Sequence, residues 1–401
     1  MGNKDTKTLL KNKFTASIII LATSLLFLKI KKIAKNENKQ KVKFNNFSFI
    51  NASLFDIIYW VILLFTRIYE KLKEFIKENY KGLIAIVVVF LLFMVELPYS
   101  IYTPGGAVNL NDRITVEDGY ETQGSFNMAY VSMVRGSIPF LLISYVIPDW
   151  DIVVKEDITI EGEDMDEMLA RERLSMQESM DAAIINAYRA AGRDVQITGT
   201  INEVSYITEE ADTDLDIGDQ ILSINGVDIA SFDELKSVVE GLAAREEVRL
   251  NVIRDEEEIE CYAITYDNDG IKIGVSILTT YEYVTDPEVT ITSKASEAGS
   301  SGGLMMSLAI YNQLVPEDIT GGAKIVGTGT IDIDGNVGEI GGVKYKLIGA
   351  VKNDAEIFMC PEGNYEEALS VAEEKDYDIT IISVSTFDEA IKKLEELHSS
   401  N

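Results

Sequence analysis

The chain has 401 residues, 46% of them hydrophobic, and carries 66 Asp and Glu against 36 Lys and Arg, a formal net charge of −30. The charge is divided: residues 1–82 hold 16 basic and 6 acidic residues, net +10, while the remaining 319 hold 20 and 60, net −40. A bulk this acidic argues against nucleic-acid binding by the main body, the length allows two or three domains, and too little of it is hydrophobic for a transporter.

Three hydrophobic stretches come first, at residues 14–30, 54–65 and 83–102. The first holds about a bilayer's worth of apolar residues, with no small-residue cleavage site after it. The second is shorter and contains Asp56. The third is the strongest, and it predicts a transmembrane helix over 83–102 with Tyr99 and Tyr102 at the far interface. Lys71, Lys73, Lys77 and Lys81 precede it, so the positive-inside rule places residue 82 in the cytoplasm and residue 103 outside. The basic segment after the first stretch also belongs inside. Both basic loops fit inside if the 54–65 stretch is interfacial or re-entrant, giving two spans; three spans put one basic loop outside.

Residues 103–192 read as an extracytoplasmic α+β connecting region. It mixes turns and short strands with an apolar run at 137–147 about half a span long, which fits a packed element or a membrane-surface contact. Residues 163–192 are good helix formers, with Gly192 as a C-terminal stop. Residues 193–268 change character: a turn, a strand, an Asn-Gly hairpin signal, a short amphipathic helix and two alternating strands. Gly218, Asp219, Ile221, Leu222, Ile224, Asn225 and Gly226 spell G-D-x-I-L-x-I-N-G, which resembles the PDZ signature. The resemblance implies a PDZ-like, partly open β-barrel that binds an extended peptide at a sheet edge. The glycine-hydrophobic-glycine loop that receives a peptide carboxylate is absent from residues 197–216, which leaves peptide capture and a spacer role both open.

Residues 270–398 alternate strands and helices in an α/β or α+β unit. Within it Gly299-Ser300-Ser301-Gly302-Gly303 fits G-x-S-x-G. An elbow serine needs a strand running into it, and the preceding residues are polar and loop-like. It also needs a histidine, and the single histidine, His398, lies in a charged tail. A lysine serves instead if burial lowers its pKa from about 10.4 toward neutrality. Lys344 and Lys346 lie in glycine-rich, apolar surroundings, and residues two apart on a helix face nearly opposite sides. One can therefore face the core while the other, read as Lys344, is a solvated charge. Cys261 and Cys360 read as small buried side chains. Neither a metal cluster nor a Walker-A pattern G-x-x-x-x-G-K-[ST] occurs in the sequence.

Residues 270–390 resemble the proteolytic domain of the Lon family, which uses a serine–lysine dyad. The family motif G-P-S-A-G lands on Gly299 to Gly303, and its later T-G-x-[IV] and G-G-[VLI]-K-x-K-L land on Thr328 to Ile331 and Gly341 to Leu347. The resemblance implies Ser301 as nucleophile, Lys346 as general base and Thr328 as a hydrogen-bonding neighbour. Gly299, Ser300 and Gly302 shape the turn. Ser300 and Gly302 stand where the family has Pro and Ala, and Ser300 reads as a turn residue.

The segment order resembles the membrane-anchored, PDZ-containing Lon-like serine proteases of Gram-positive bacteria. The resemblance covers roughly residues 83–395, outside the basic N-terminal region (1–82) with its one or two membrane-associated stretches, and implies an α+β chain: a transmembrane helix (83–102), the connecting region (103–192), a PDZ-like domain (193–268) and a Lon-type α/β proteolytic domain (270–398). It further implies ATP-independent cleavage of peptides or unfolded proteins at the outer face of a bacterial cell membrane. It implies membrane lipid as a partner, no nucleic acid, no cofactor, no metal, and a homo-oligomeric ring, hexameric in the family. The competing reading is a catalytically inactive, membrane-tethered PDZ scaffold that holds a partner peptide.

Overall fold

The computed structural model describes residues 47–160, 162–294 and 297–399. The chain divides into two compact units at Val88 and Val89. A single helix, α1 (Phe47–Met94), runs through the second hydrophobic stretch, the basic segment after it and the start of the third. The basic segment is thus helix rather than the expected loop. The 14–30 stretch lies outside the described residues.

The expected span over 83–102 is not helical to its end. Pro98 disfavours helix at the residue before it, α1 stops at Met94, and residues 99–102 enter strand β1 (Tyr99–Asn109). Ser100 and Ile101 are buried there, so Tyr99 and Tyr102 sit in a sheet. The uninterrupted apolar helix from Leu83 to Met94 is about 18 Å long, against roughly 30 Å of hydrocarbon. Among the described residues, no helix is long and apolar enough to cross a membrane.

After β1 come β2 (Ser125–Arg135), the short helix α2 (Ile138–Ser144), β3 (Asp151–Val154) and helix α3 (Met165–Ala190). Asp164 caps α3 in a reciprocal capping box with Glu167, and Gly192 follows its end at φ +63°. Strands β4 (Asp194–Ile207), β5 (Asp212–Thr213) and β6 (Gln220–Ile224) lead to helix α4 (Phe232–Glu240). Strands β7 (Glu247–Arg254), β8 (Glu257–Ile264) and β9 (Val275–Asp286) follow. These strands form a seven-stranded sheet ordered β9-β4-β6-β7-β8-β5, with Val227–Asp228 pairing β6 across a tight hairpin. Asn225 and Gly226 both have positive φ there, as the hairpin signal requires. Asp219 of the G-D signature is 1% exposed and receives a bidentate pair of bonds from Arg254, at 2.7 and 2.6 Å.

The last part contains α5 (Gly303–Leu314), β10 (Lys324–Gly327), α6 (Val343–Lys352), β11 (Ile357–Pro361), α7 (Tyr365–Lys375), β12 (Thr380–Val384) and α8 (Phe387–Ser399). Its strands share one six-stranded sheet with the strands before α3, in the order β12-β11-β10-β2-β1-β3. β10 pairs β2 in parallel, Ile325 opposite Phe126. The core follows the same plan: Phe126, Ala183 and Tyr188 pack in one cluster with Leu304, Met305 and Leu308. Residues on both sides of the seven-stranded sheet therefore build a single α/β layer structure. Cys261 and Cys360 are buried and unpaired.

Candidate active site

Three elements converge on the Gly299–Gly303 turn: α5, which it opens; β10, whose continuation is Thr328 and Gly329; and α3, which braces it. Gly299 adopts φ +97°, a conformation that favours glycine, and its N–H donates to the Glu172 carbonyl at 2.9 Å. Ser300 lies in the turn as expected. Its carbonyl accepts bonds from the Ser179 hydroxyl at 2.8 Å and from the Gly303 N–H at 3.2 Å. The Ser301 carbonyl accepts from the Gly329 N–H at 2.8 Å and from Thr328 Oγ1 at 3.0 Å. Among the described residues, the N–H groups of Ser301 and Gly302 have no acceptor. They lie at the N-terminal end of α5, where the helix dipole favours negative charge.

A Cβ at Gly302 would stand 2.0 Å from Met128 Sδ on β2, so the methionine side chain would have to move to admit one. Gly303 is equally enclosed, with Ser179 Oγ and Ile331 Cγ2 at 2.2 and 2.7 Å from its own Cβ position. Met128 thus occupies the space that the family's alanine side chain would use at residue 302.

Lys346 enters from α6. Gly349 packs that helix closely on the Gly105–Gly106 bulge of β1, since its Cβ position lies 3.2 Å from the Gly105 carbonyl carbon. Lys346 is 4% exposed, and Val343 and Leu347 beside it are fully buried. Its Nζ donates to Thr328 Oγ1 at 3.0 Å. The Thr328 hydroxyl is itself fully buried and connects the two: it accepts from Lys346 and donates to Ser301. Burial pulls the Lys346 pKa down to about 8, and the nearby Glu172 carboxylate opposes part of that shift.

Lys344 differs from expectation. Its Nζ is 2.6 Å from Asp151 Oδ2 on β3, and Tyr345 donates to the same oxygen at 2.8 Å. It is a partly buried ion pair joining α6 to the sheet edge rather than a solvated charge. The His398 side chain lies outside the described part.

Sequence reasoning missed Glu172, Ser179 and Met128. Glu172 is fixed by Arg171 at 2.8 Å and stands close enough to act on both Lys346 and Tyr102. Ser179 and Asn186 are two turns apart on the buried face of α3. Ser179 holds the Ser300 carbonyl, and Asn186 holds the Asp332 carbonyl at 2.8 Å. Polar residues at that spacing in an alanine-rich helix were the available signal. In the other sheet, Ile273-Gly274-Val275 places a glycine at φ +78° between hydrophobic residues, at the entry to the edge strand β9.

Comparison with known proteins agrees with this arrangement at the level of domains. Residues 287–396 match the Lon protease (S16) C-terminal proteolytic domain, and residues 175–263 match the PDZ domain. The Lon protease of Campylobacter jejuni is 36% identical over 95 residues, which cover 23% of this chain and 12% of that protein. The Lon protease of Campylobacter concisus gives the same identity and coverage, 36%, 23% and 12%. That of Lachnoclostridium phytofermentans is 31% identical over 94 residues, 23% of this chain and 11% of its own. The chain therefore spans about 12% of the length of the curated relatives it matches. Among solved structures, the PDZ domain of an SdrC-like protein from Listeria monocytogenes is 20% identical, covering 21% of this chain and 93% of that one, with a TM-score of 0.19. A solution structure from Geobacillus thermodenitrificans is 25% identical, covering 18% of this chain and 92% of that one, with a TM-score of 0.17. The chain carries the C-terminal proteolytic domain of Lon proteases, family S16, together with a PDZ domain.

Proposed function

We propose that this protein is an ATP-independent, membrane-anchored serine endopeptidase that cleaves extracytoplasmic peptides or unfolded proteins. Ser301 is the nucleophile and Lys346 the general base. The observation that carries this reading is the buried Lys346 amine, 4% exposed, its pKa pulled down to about 8, and linked through the Thr328 hydroxyl to the Ser301 backbone carbonyl. An amine in that range is partly neutral at physiological pH and can take a proton.

In this mechanism neutral Lys346 removes the Ser301 hydroxyl proton as Oγ attacks the substrate carbonyl. The developing oxyanion is met by the free N–H groups at the start of α5. The Lys346 ammonium then protonates the leaving amine, an acyl-enzyme forms, and a water activated by the same amine releases it. Thr328 keeps the amine oriented, and the Ser179 bond to the Ser300 carbonyl keeps the turn in place. The β9 edge, entered through Ile273-Gly274-Val275, is suited to taking an extended peptide as an added strand. ATP independence rests on the lack of a Walker-A pattern in these residues.

Anchoring rests on the 14–30 stretch, about a bilayer's worth of apolar residues, with the apolar end of α1 entering the bilayer. The catalytic domain then faces outward from a bacterial cell membrane, and the protein assembles as a homo-oligomeric ring. The test is casein cleavage by the full chain without ATP, beside Ser301→Ala. Cleavage that Ser301→Ala abolishes supports the reading. Cleavage that survives in the variant, or appears only on adding ATP, sinks it. A scaffold would lose nothing on substitution of Ser301 or Lys346.

A further inference from the structure

The connection between β2 and β3 exposes apolar side chains that the catalytic reading does not use. On and after α2, Leu142 is 65% exposed, Tyr145 81% and Val146 82%. Ile138, Ile143 and Ile147 lie beside them, each more than one-third exposed. Water should disfavour such a cluster unless something covers it.

Two features indicate what covers it. The first is continuity with the end of α1. Phe140 of α2 meets Phe93 edge to face, with ring centroids 5.5 Å apart, and the Leu97 N–H donates to the Gly136 carbonyl at 2.8 Å. Residues 89–95 are Val, Phe, Leu, Leu, Phe, Met and Val, without a polar side chain, and all but Leu92 are strongly exposed. Six of them, 89–94, are the last residues of α1 and wrap more than one and a half turns of helix. A helix apolar on every side has no face left for water. A protein partner's groove would cover one face, whereas a lipid surface can surround all of it.

The second feature is charge. The body of the chain is strongly acidic, yet several charges bordering the patch are paired. Glu96 holds Arg135 at 2.7 Å and Lys155 at 3.9 Å. Asp149 holds Lys375, and Asp151 holds Lys344. Paired charges lessen the repulsion that an acidic surface would meet at an anionic lipid layer.

We propose that residues 138–147 form a lipid-binding patch that, with the apolar end of α1, beds the catalytic domain into the surface of a bilayer. Aliphatic side chains enter the boundary between headgroups and acyl chains, and Tyr145 sits at the headgroup level, where amphipathic aromatics concentrate. The inference deepens the membrane reading above and rests on it. It adds that the domain lies against the membrane and does not hang from it on a tether.

The test uses the full chain with Val146→Cys, labelled with an environment-sensitive nitrobenzoxadiazole dye. The native cysteines do not compete, since Cys261 is 3% and Cys360 0% exposed. The protein is incorporated into phosphatidylcholine vesicles, with and without nitroxide-labelled lipid, and floated on a density gradient. A second variant, Val227→Cys in the hairpin after β6, serves as the reference site. The expected result is co-flotation, a blue shift of the dye at 146, and quenching there by the nitroxide lipid but not at 227. Co-flotation with an unshifted, unquenched dye at 146 overturns the inference and leaves the anchor standing. Failure to float overturns both. A blue shift that needs no vesicles and grows with protein concentration assigns the patch to a second copy of the chain, and also overturns it.

Discussion

Burial holds the Lys346 pKa at about 8, so the charged amine costs more free energy in the folded protein than in the unfolded chain. For a base whose folded pKa lies below its unfolded value of 10.5, the destabilisation is fully present below pH 8 and disappears as pH rises past 10.5. Its upper limit is about 3 kcal/mol, from a 1.36 kcal/mol equivalent per pH unit. Replacement of Lys346 by Met should therefore abolish cleavage while raising the melting temperature at pH 7, with the gain shrinking toward pH 10.5. Thermal unfolding of both proteins across that range checks the sign. Glu172 acts in the opposite sense to burial, favouring the charged amine. Glu172→Gln should move the acid limb of the kcat/KM profile to lower pH and raise activity below pH 8, whereas a merely structural role would lower activity without moving the limb. That Ser301, Thr328 and Lys346 lie together was legible in the sequence because a motif contains each of them. Glu172 and Ser179 were not. Their partners at the turn and on α6, Gly299, Ser300 and Lys346, lie more than 100 positions away in sequence, and no local pattern records so distant a contact.

Among the elements, the start of α5 is set by what β2 places against it. Met128 fills the space of a side chain at residue 302, so glycine there follows from packing. Gly302→Ala should destabilise the protein by about 1–3 kcal/mol, as overpacking does, and reduce cleavage by displacing the turn. Met128→Ala made on its own opens a cavity. Combined with Gly302→Ala it should restore part of both losses, and the coupling in a double-mutant cycle of unfolding free energies and kcat/KM measures how closely the two sites interact. If the effects simply add, Met128 does not decide residue 302. Helices such as α3 and α5 and the Asn225-Gly226 hairpin were readable from local signals, since caps, periodicity and turn chemistry act over a few residues. The end of α1 was not. The apolar pattern runs on through residues 95–102, and Pro98 together with pairing to β2 and β3 takes residues 99–102 into a sheet.

The α/β layer that carries the Gly299–Gly303 turn is assembled from two stretches of chain separated by the seven-stranded sheet. Residues 103–192, read from sequence as a connection, share strands and core with the residues that match the Lon proteolytic domain. Composition did not reveal this because parallel pairing of β10 with β2 spans nearly 200 positions. A fragment of residues 270–398 would leave β10 with one side unpaired and expose the apolar faces that Phe126, Ala183 and Tyr188 cover. Unpaired edges beside exposed apolar surface favour aggregation. That fragment should be insoluble or lack a cooperative unfolding transition. A fragment of residues 97–399 keeps every strand of both sheets and should unfold cooperatively. Co-expressing residues 97–192 with residues 193–399 separates the physical causes. Recovery of a soluble, Ser301-dependent protease from the two pieces would show that pairing across the gap, and not chain continuity, makes the site. A fully active 270–398 fragment would show that β1, β2 and α3 are dispensable, and that their contacts to the Gly299–Gly303 turn do not position the nucleophile.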